Sequence, residues 1–454
     1  MEEKPGKYRL HWLTWQPTPY NDFLFQALSA DPEIDLTIHF RERVLTSHPW
    51  QSNLAQGYRS RYYHRILGVD WYVLSVAFRE RDAFYVVAGW DHPTAILLIN
   101  LLSLMKRRFA IWTDTPDLGH KRNPLFDFLR SQWLKWVFRK ATKVMGTGRR
   151  AIKVLRSMGA PQSKLINFPF FLDLNSFTRE KDPFSGDVLQ PIRFISVGRI
   201  KNCIKGHDIA LRALALAVQR VERRFTFFIA GTGPDEEKLK ALAAQLGIDK
   251  GTRILGWLEP EELQKLYRTV DILIHPSPVH DPFPNAVLEG MAAGLVVLAS
   301  DVSGSAKDRI DHGINGYIHP AGDVQALAEQ IELLLRNPEK IAEMGQKARA
   351  TAERWPIERG VGIIKALLNE AYEVKPTQLH GISFFKKFGL RFKLILASCL
   401  TSKLVQIIVS RLFPDYVPFH GLQIIVNDMQ GGAKAKCNLL FGIYESAEIR
   451  FVLQ

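Results

Sequence analysis

The chain has 454 residues, 46% hydrophobic and 23% charged, ordinary values for a folded globular protein of two or three domains. Its formal net charge of +14 predicts an anionic partner: a nucleotide, a nucleic acid or the negative face of a membrane. Three scattered cysteines, Cys203, Cys399 and Cys437, argue against a disulfide framework or a zinc cluster, and the first residues lack the apolar core of a signal peptide, so a reducing, cytoplasmic setting is expected.

In chain order, the run from Tyr8 to Trp15 predicts a first strand. Dinucleotide-binding folds place a glycine fingerprint after such a strand, and here Gln16-Pro-Thr-Pro-Tyr-Asn stands in its place. A helix over 21–28 and a strand over 35–40 continue a β-α-β rhythm, and Trp50 to Tyr63 reads as a long aromatic loop. Strands at 83–89, 108–112 and 143–146 alternate with helices at 93–104 and 125–139, which implies a parallel sheet covered on both faces. Two strand ends carry polar residues that a core does not need: Asp91 with His92, and Asp114. In open α/β sheets ligands bind beyond the carboxyl ends of the strands, so these three are candidate substrate contacts. The alternative is that Asp91 and Asp114 cap the next helix or turn.

A polar stretch with Gly and Pro from Lys181 to Pro191 predicts a linker. A second β-α-β series then starts. Strand 192–197 ends in Gly198-Arg199, and a loop with Lys205-Gly206 leads into a helix over 207–220. Strand 225–230 ends in Gly231-Thr232-Gly233, before a helix over 235–246. Strand 253–256 ends at Trp257-Leu258, before a helix over 261–268. Later elements are a short strand over 315–320 and amphipathic helices over 324–336 and 338–355. Glycines let backbone approach a phosphate closely, and Arg199 with Lys205 can neutralise it.

Between the apolar runs Val270–Pro276 and Leu295–Ser300 lies the stretch Asp281-Pro-Phe-Pro-Asn-Ala-Val-Leu-Glu289. A Pro284-Asn285 turn opens a helix with Asn285 as its expected N-cap, and the backbone N–H groups of Ala286, Val287 and Leu288 form an anion site. Carboxylates at 281 and 289 suit hydroxyl groups, so a ligand with both phosphate and sugar fits. A solvated acidic turn followed by a helix-capping glutamate is the alternative.

Residues Ile192 to about Tyr372 resemble the second domain of a family 4 retaining glycosyltransferase of the GT-B fold. The resemblance runs through Val197-Gly-Arg199, Lys205-Gly-His-Asp208, Ala230-Gly-Thr-Gly-Pro234, Leu255-Gly-Trp257, Asp271-Ile-Leu-Ile-His-Pro-Ser277 and the carboxylate pair with its helix. It implies two Rossmann-like α/β domains facing each other across a cleft, an acceptor domain (1–185) and a nucleotide-sugar donor domain (186–373), followed by an extension (374–454). It implies that Arg199 and Lys205 hold the donor diphosphate, with Gly198, Gly231, Thr232 and Gly233 at the same edge. Glu289 would accept from the ribose hydroxyls, Trp257 and Leu258 would cradle the base, and Pro284, Asn285 and Ala286 would face phosphate and sugar. Asp281 would touch the sugar ring. Asp114 would stand near the transferred sugar, where relatives often have histidine, and Asp91 and His92 remain acceptor candidates. No metal or other cofactor is expected.

This chain departs from the pattern at Asp281, commonly Glu; in the loop between Arg199 and Lys205, a residue longer than usual; and after Asp301, where Val302-Ser-Gly-Ser-Ala-Lys-Asp308 replaces Gly-Gly and Pro-Glu. In the tail, Phe384 to Phe413 is basic and apolar, unsuited to a membrane span, and packing on a domain is expected in preference to lying on an anionic surface. Residues 419–448 resemble the lead-in of an FkbM-type methyltransferase, without the glycine-rich loop that follows in that family, so no methyltransferase activity is expected.

The leading expectation is sugar transfer, with retention, from a nucleotide-diphosphate-sugar to a glycan or lipid-linked acceptor in cell-surface polysaccharide biosynthesis, in the cytoplasm with a peripheral place on the inner membrane face left open. The alternatives are a GT-B epimerase or phosphorylase, and a basic membrane- or nucleic-acid-binding protein. No nucleic-acid motif accompanies the basic residues, so nucleic acid is not the expected partner.

Overall fold

The computed structural model describes residues 7–43, 56–116, 124–178 and 190–373, together with 416–419 and 422–425. The chain divides into two compact units, Met1–Glu373 and Val374–Gln454. In the second, β14 (Tyr416–Phe419) and β15 (Leu422–Ile425) form an antiparallel pair, and the run 384–413 and the stretch after 425 lie outside the described residues.

The first unit contains two parallel sheets. The first is built from β1 (Tyr8–Thr14), α1 (Pro19–Ala30), β2 (Ile34–Phe40), β3 (Arg59–Tyr62), α2 (Trp71–Arg79), β4 (Phe84–Ala88), α3 (Pro93–Leu104), β5 (Arg108–Thr113), α4 (Pro124–Lys140), β6 (Lys143–Gly146), α5 (Gly148–Ser157) and β7 (Leu165–Asn167). Its strand order is β3-β2-β1-β4-β5-β6-β7. The order reverses between β1 and β4, and at such a reversal the loops leaving the strands diverge and open a crevice at their carboxyl ends.

Strands buried on both faces read as nearly continuous apolar runs, and β4 (FYVVA) and β5 (RFAIWT) do so. The described part of the expected loop, 56–63, holds a strand. β3, with sequence RSRY, is a half-exposed edge strand whose polar residues gave no apolar signal.

The second sheet is built from β8 (Ile192–Val197), α6 (Asn202–Lys205), α7 (His207–Val221), β9 (Phe225–Ala230), α8 (Glu236–Gln245), β10 (Thr252–Gly256), α9 (Pro260–Tyr267), β11 (Ile272–His275), α10 (Asn285–Ala292), β12 (Val296–Ser300), α11 (Gly304–Arg309), β13 (Gly316–His319), α12 (Val324–Arg336) and α13 (Glu339–Ala352). Its order is β10-β9-β8-β11-β12-β13, reversing between β8 and β11. These are two Rossmann-like layers of the GT-B type.

The last helix, α14 (Ile357–Glu373), returns to the first sheet. Its Ile364, Leu367 and Leu368 are buried with Leu10, Trp12, Leu24 and Phe25. Lys365 bridges Asp31 and Glu33, and Tyr8 Oη donates to Asn369 Oδ1 at 2.9 Å. The chain therefore crosses between the layers twice, and this return fastens them together. A second fastening joins α5 to α11. Asp308 accepts from the Arg149 backbone N–H at 2.7 Å and from Arg149 Nε at 3.0 Å. Nearby, the buried Arg309 guanidinium lies over the Phe283 and Trp355 rings, 4.4 and 5.1 Å from their centroids.

Candidate active site

The carboxyl ends of both sheets open onto one cavity of about 660 Å3. From the first layer it is lined by Pro19, Tyr20 and Phe23 at the start of α1, by Asp114 after β5, and by Phe170. From the second it is lined by Gly198, Arg199, Lys205, Gly231-Thr232-Gly233, Trp257-Leu258, Asp281, Pro284-Asn285-Ala286 and Glu289. Residues from Pro19 to Glu289 meet because successive parallel strands all end on the same edge.

The glycines serve the architecture of that edge. Gly198 and Gly231 have φ of 147° and 145°, a region that favours glycine. A Cβ on Gly231 would lie 2.0 Å from Gly198 O, and one on Gly233 2.1 Å from Ile200 O. The two loops are therefore stacked backbone on backbone. Gly198 N–H donates to Ala230 O at 3.0 Å and Gly231 N–H to Gly256 O at 2.7 Å. The N–H groups of Gly198 and Gly231 are thus spent within the sheet edge, and the glycines bring the strand ends close together there.

Arg199 is exposed at this edge. Lys205 ends α6, which closes on Gly206 in the left-handed region (φ 70°), packed where a Cβ would meet Pro276 O at 2.4 Å. Lys205 Nζ lies 2.5 Å from Asp281 Oδ2. The same oxygen is 3.1 Å from His275 Nε2 and 3.3 Å from Ser277 Oγ. Burial opposes ionisation of Asp281, but the His275 hydrogen bond and the Lys205 charge outweigh it and hold the carboxyl well below its ordinary range. Asp281, expected to touch a sugar, is here tied to the ammonium beside it.

Helix α10 starts one residue earlier than expected. Pro284 is the N-cap, its side chain makes no capping bond, and Asn285 is the first helical residue. The expectation that Asn285 caps the helix is thus corrected. A proline at the cap cannot accept from the helix, so the first-turn N–H groups keep their capacity toward the cavity. Asn285 Oδ1 is buried with no hydrogen-bond partner among the described residues.

One turn on, Glu289 accepts from Tyr267 Oη at 3.0 Å. Burial pushes its carboxyl up to about 7, tempered by that bond. Trp257 Nε1 donates to Glu259 Oε1 at 2.9 Å, which fixes the indole in the cavity wall.

Across the cleft, Asp114 Oδ1 accepts from Thr147 Oγ1 at 2.6 Å. Solvent reaches Asp114 through the opening, yet protein walls it on most sides. That burial raises its pKa, the Thr147 bond lowers it, and the charge of Asp281 raises it again. Tyr20 beside it is half-buried, and burial and the Asp114 charge hold it above its ordinary range.

Asp91 and His92 stand apart from the cavity lining. Asp91 pairs with Arg41 at 3.2 Å, and His92 Nδ1 accepts from Ala95 N–H as the N-cap of α3. Sequence reading missed Tyr20, Tyr267, His275 and Phe283, whose roles follow from which loops meet and leave no local signal. Among the described residues no cluster of His, Cys, Asp and Glu is arranged to hold a metal, and no helix is long and apolar enough to cross a membrane.

With this geometry in place, residues 178–351 match the family model described as Glycosyl transferases group 1. The chain is 31% identical to the amylovoran biosynthesis glycosyltransferase AmsK of Erwinia amylovora over 36% of this chain and 41% of that protein. It is 29% identical to the putative colanic acid biosynthesis glycosyltransferase WcaL of Salmonella typhimurium over 39% of this chain and 43% of that protein. The chain thus spans less than half the length of both curated relatives. In three dimensions it resembles Anabaena Alr3699/HepE in complex with UDP, with a TM-score of 0.65 at 17% identity, over 80% of this chain and 100% of that one. Sucrose-phosphate synthase from Thermosynechococcus elongatus superposes with a TM-score of 0.60 at 16% identity, over 81% of this chain and 100% of that one. The fold is GT-B, and residues 178–351 are similar to the glycosyl transferases group 1 family.

Proposed function

We propose that this chain is a retaining glycosyltransferase that moves a sugar from a nucleotide-diphosphate-sugar to a glycan or lipid-linked acceptor in cell-surface polysaccharide biosynthesis. The observation that carries the reading is the gathering of Arg199, Lys205, the uncapped start of α10 and Glu289 in one cavity. The similarity to AmsK and WcaL, glycosyltransferases of amylovoran and colanic acid biosynthesis, and to HepE with its bound UDP supports it.

In this reading the diphosphate lies between Arg199, Lys205 and the first turn of α10. Two cations and a helix dipole then face the oxygen that gains charge as the sugar leaves, which lowers the barrier. The site supplies this charge from its own side chains, so metal independence is proposed. Glu289, once ionised, accepts from the ribose hydroxyls, and Trp257 and Leu258 flank the base. The sugar then lies between Asp114 and Asp281. Their mutual repulsion is relieved when positive charge develops at the anomeric carbon between them. Retention without a covalent nucleophile follows if the acceptor hydroxyl attacks from the leaving-group side, its proton passing to the departing phosphate. The net positive charge fits an enzyme working against anionic lipid.

The test is a thermal-shift panel of UDP-, GDP- and ADP-sugars with and without EDTA, followed by transfer assays whose products are read by NMR for anomeric configuration. If Arg199→Ala and Glu289→Ala bind and turn over the donor as the parent does, the assignment is wrong. Release of an epimerised sugar without acceptor would point to an epimerase instead.

A further inference from the structure

Arg309, the last residue of α11, carries its charge in the protein interior. It is 3% exposed, and the adjacent carboxylate, Asp308, is bonded to Arg149 instead. Among the described residues its hydrogen bonds reach only neutral oxygens: Nη1 donates to Ser305 Oγ at 2.6 Å and Nη2 to Phe170 O at 3.4 Å, while Nε has no partner. Burial pulls its pKa down to about 9, and the charge of Asp308 opposes that fall. A buried guanidinium without a paired carboxylate is costly, and a methionine would fill the same space without the charge. Packing alone therefore does not account for an arginine at this position.

The contacts of the guanidinium join three parts of the chain. Phe170, which lines the cavity, belongs to the first crossing between the layers. Trp355, whose ring centroid is 5.1 Å from the guanidinium carbon, belongs to the return crossing. The two crossings lie side by side, with Ile357 N–H donating to Leu172 O at 3.0 Å. The third contact is the Phe283 ring, 4.4 Å away, in the segment between Asp281 and α10. Both ends of α11 grip that segment. At the start, Gly304 N–H donates to Asp281 O at 3.0 Å, and a Cβ on Gly304 would lie 2.0 Å from Pro282 O. At the other end Arg309 holds the Phe283 ring. The same ring packs against Gly148 of α5 in the first layer, where a Cβ would meet Phe283 Cε2 at 2.4 Å.

We propose that Arg309 is a positioning residue for the transfer reaction: it fixes Phe283, and with it the segment carrying Asp281, against both crossings, and so sets the distance from Asp281 to Asp114 in the opposite layer. A guanidinium suits this task because its planar fork donates to two oxygens at once while its charge rests on an aromatic ring. A lysine keeps the charge but has no fork, so it restores the arrangement only in part. Arg199, Lys205 and Glu289 all stand in the second layer, so holding the nucleotide does not need the two layers aligned, whereas turnover does. The effect on turnover rests on the transferase reading; the alignment itself does not.

The experiment compares the full chain with its Arg309→Met and Arg309→Lys variants. The distance distribution between spin labels at Leu104→Cys on α3 and Leu333→Cys on α12, both exposed positions, is recorded with the native cysteines replaced by serine. Thermal shifts are measured with UDP-, GDP- and ADP-sugars, and nucleotide release from the sugar giving the largest shift supplies kcat and KM. Arg309→Met is expected to broaden the distance distribution and to lower kcat about 10- to 100-fold, with KM and the nucleotide-induced shift unchanged. Arg309→Lys is expected to recover part of both losses. Where Arg309→Met does not fold, Ser305→Ala, which removes one acceptor from the guanidinium, is expected to give the same pattern with kcat lowered about threefold. An unchanged distance distribution overturns the proposal, and so does a kcat loss accompanied by loss of the nucleotide-induced shift. Variants that melt earlier but keep the parent's kcat and distribution assign Arg309 to stability alone and also overturn it. Broadening in a protein whose parent shows no nucleotide-induced shift upholds Arg309 as the alignment point and sinks the transferase reading.

Discussion

Replacing Glu289 by glutamine removes a charge that the cleft resists. Its carboxyl moves from an ordinary 4.5 to about 7 because burial in the helix-lined wall disfavours the ion. An unfolded chain releases that proton near the ordinary value, whereas the native state holds it to about 7. Native stability from this residue is therefore greatest below pH 4.5, declines as pH rises to about 7, and is level beyond. The full displacement corresponds to about 3 kcal/mol. Glu289 is only partly enclosed and solvent reaches it through the cleft, so about 1–2 kcal/mol is expected.

Glutamine keeps the acceptor for Tyr267 Oη and the shape of the side chain, without the charge. Glu289→Gln should melt about 1–3 °C above the parent at pH 8, with the gap closing by pH 5. In the proposed donor site the same change should weaken UDP binding about tenfold or more, since the ribose hydroxyls would lose a charged acceptor. Melting curves from pH 5 to 9, with UDP titrations at pH 8, measure both. A glutamine variant that melts below the parent at pH 8, or a gap that does not vary with pH, would refute the reasoning.

Asp281→Asn leaves Lys205 without its counterion, and with the Lys205 side chain 22% accessible the expected loss is about 1–3 kcal/mol, read by urea unfolding. Because its carboxyl is held below its ordinary range, the stability Asp281 contributes is present above about pH 4 and is lost as pH falls toward its native value, so the variant and parent should converge in acid. Asp308→Ala should cost more than Arg149→Ala. Asp308 is buried and serves a backbone N–H as well as the guanidinium, whereas the Arg149 side chain is 69% accessible. About 1–3 kcal/mol against less than 1 is expected in the same assay, and the reverse order would show that Arg149 does the fastening. Gly231→Ala forces a Cβ against Gly198 O and should cost at least about 2 kcal/mol, seen as lower soluble yield and an earlier melt.

The sequence by itself determined the parallel α/β class, because apolar runs alternating with helical periods leave few other arrangements. It also determined the line of motifs from Gly198 to Glu289, since successive parallel strands must end on one edge. The strands of the second sheet were legible within a residue or two. The polar edge strand β3 is not legible because a half-exposed edge carries a weak periodic signal, and helices α2, α5, α11 and α14 were also not read, although α5 and α14 are amphipathic. Only tertiary structure decided how the motif residues are spent. Gly198 and Gly231 use their N–H groups on neighbouring strands, and Asp281 is committed to Lys205, His275 and Ser277. The long return of α14 to the first sheet, and the placing of Asp114 opposite Asp281, arise from contacts between residues far apart in the chain. No local pattern encodes such contacts, because their free energy appears only when both surfaces are already folded.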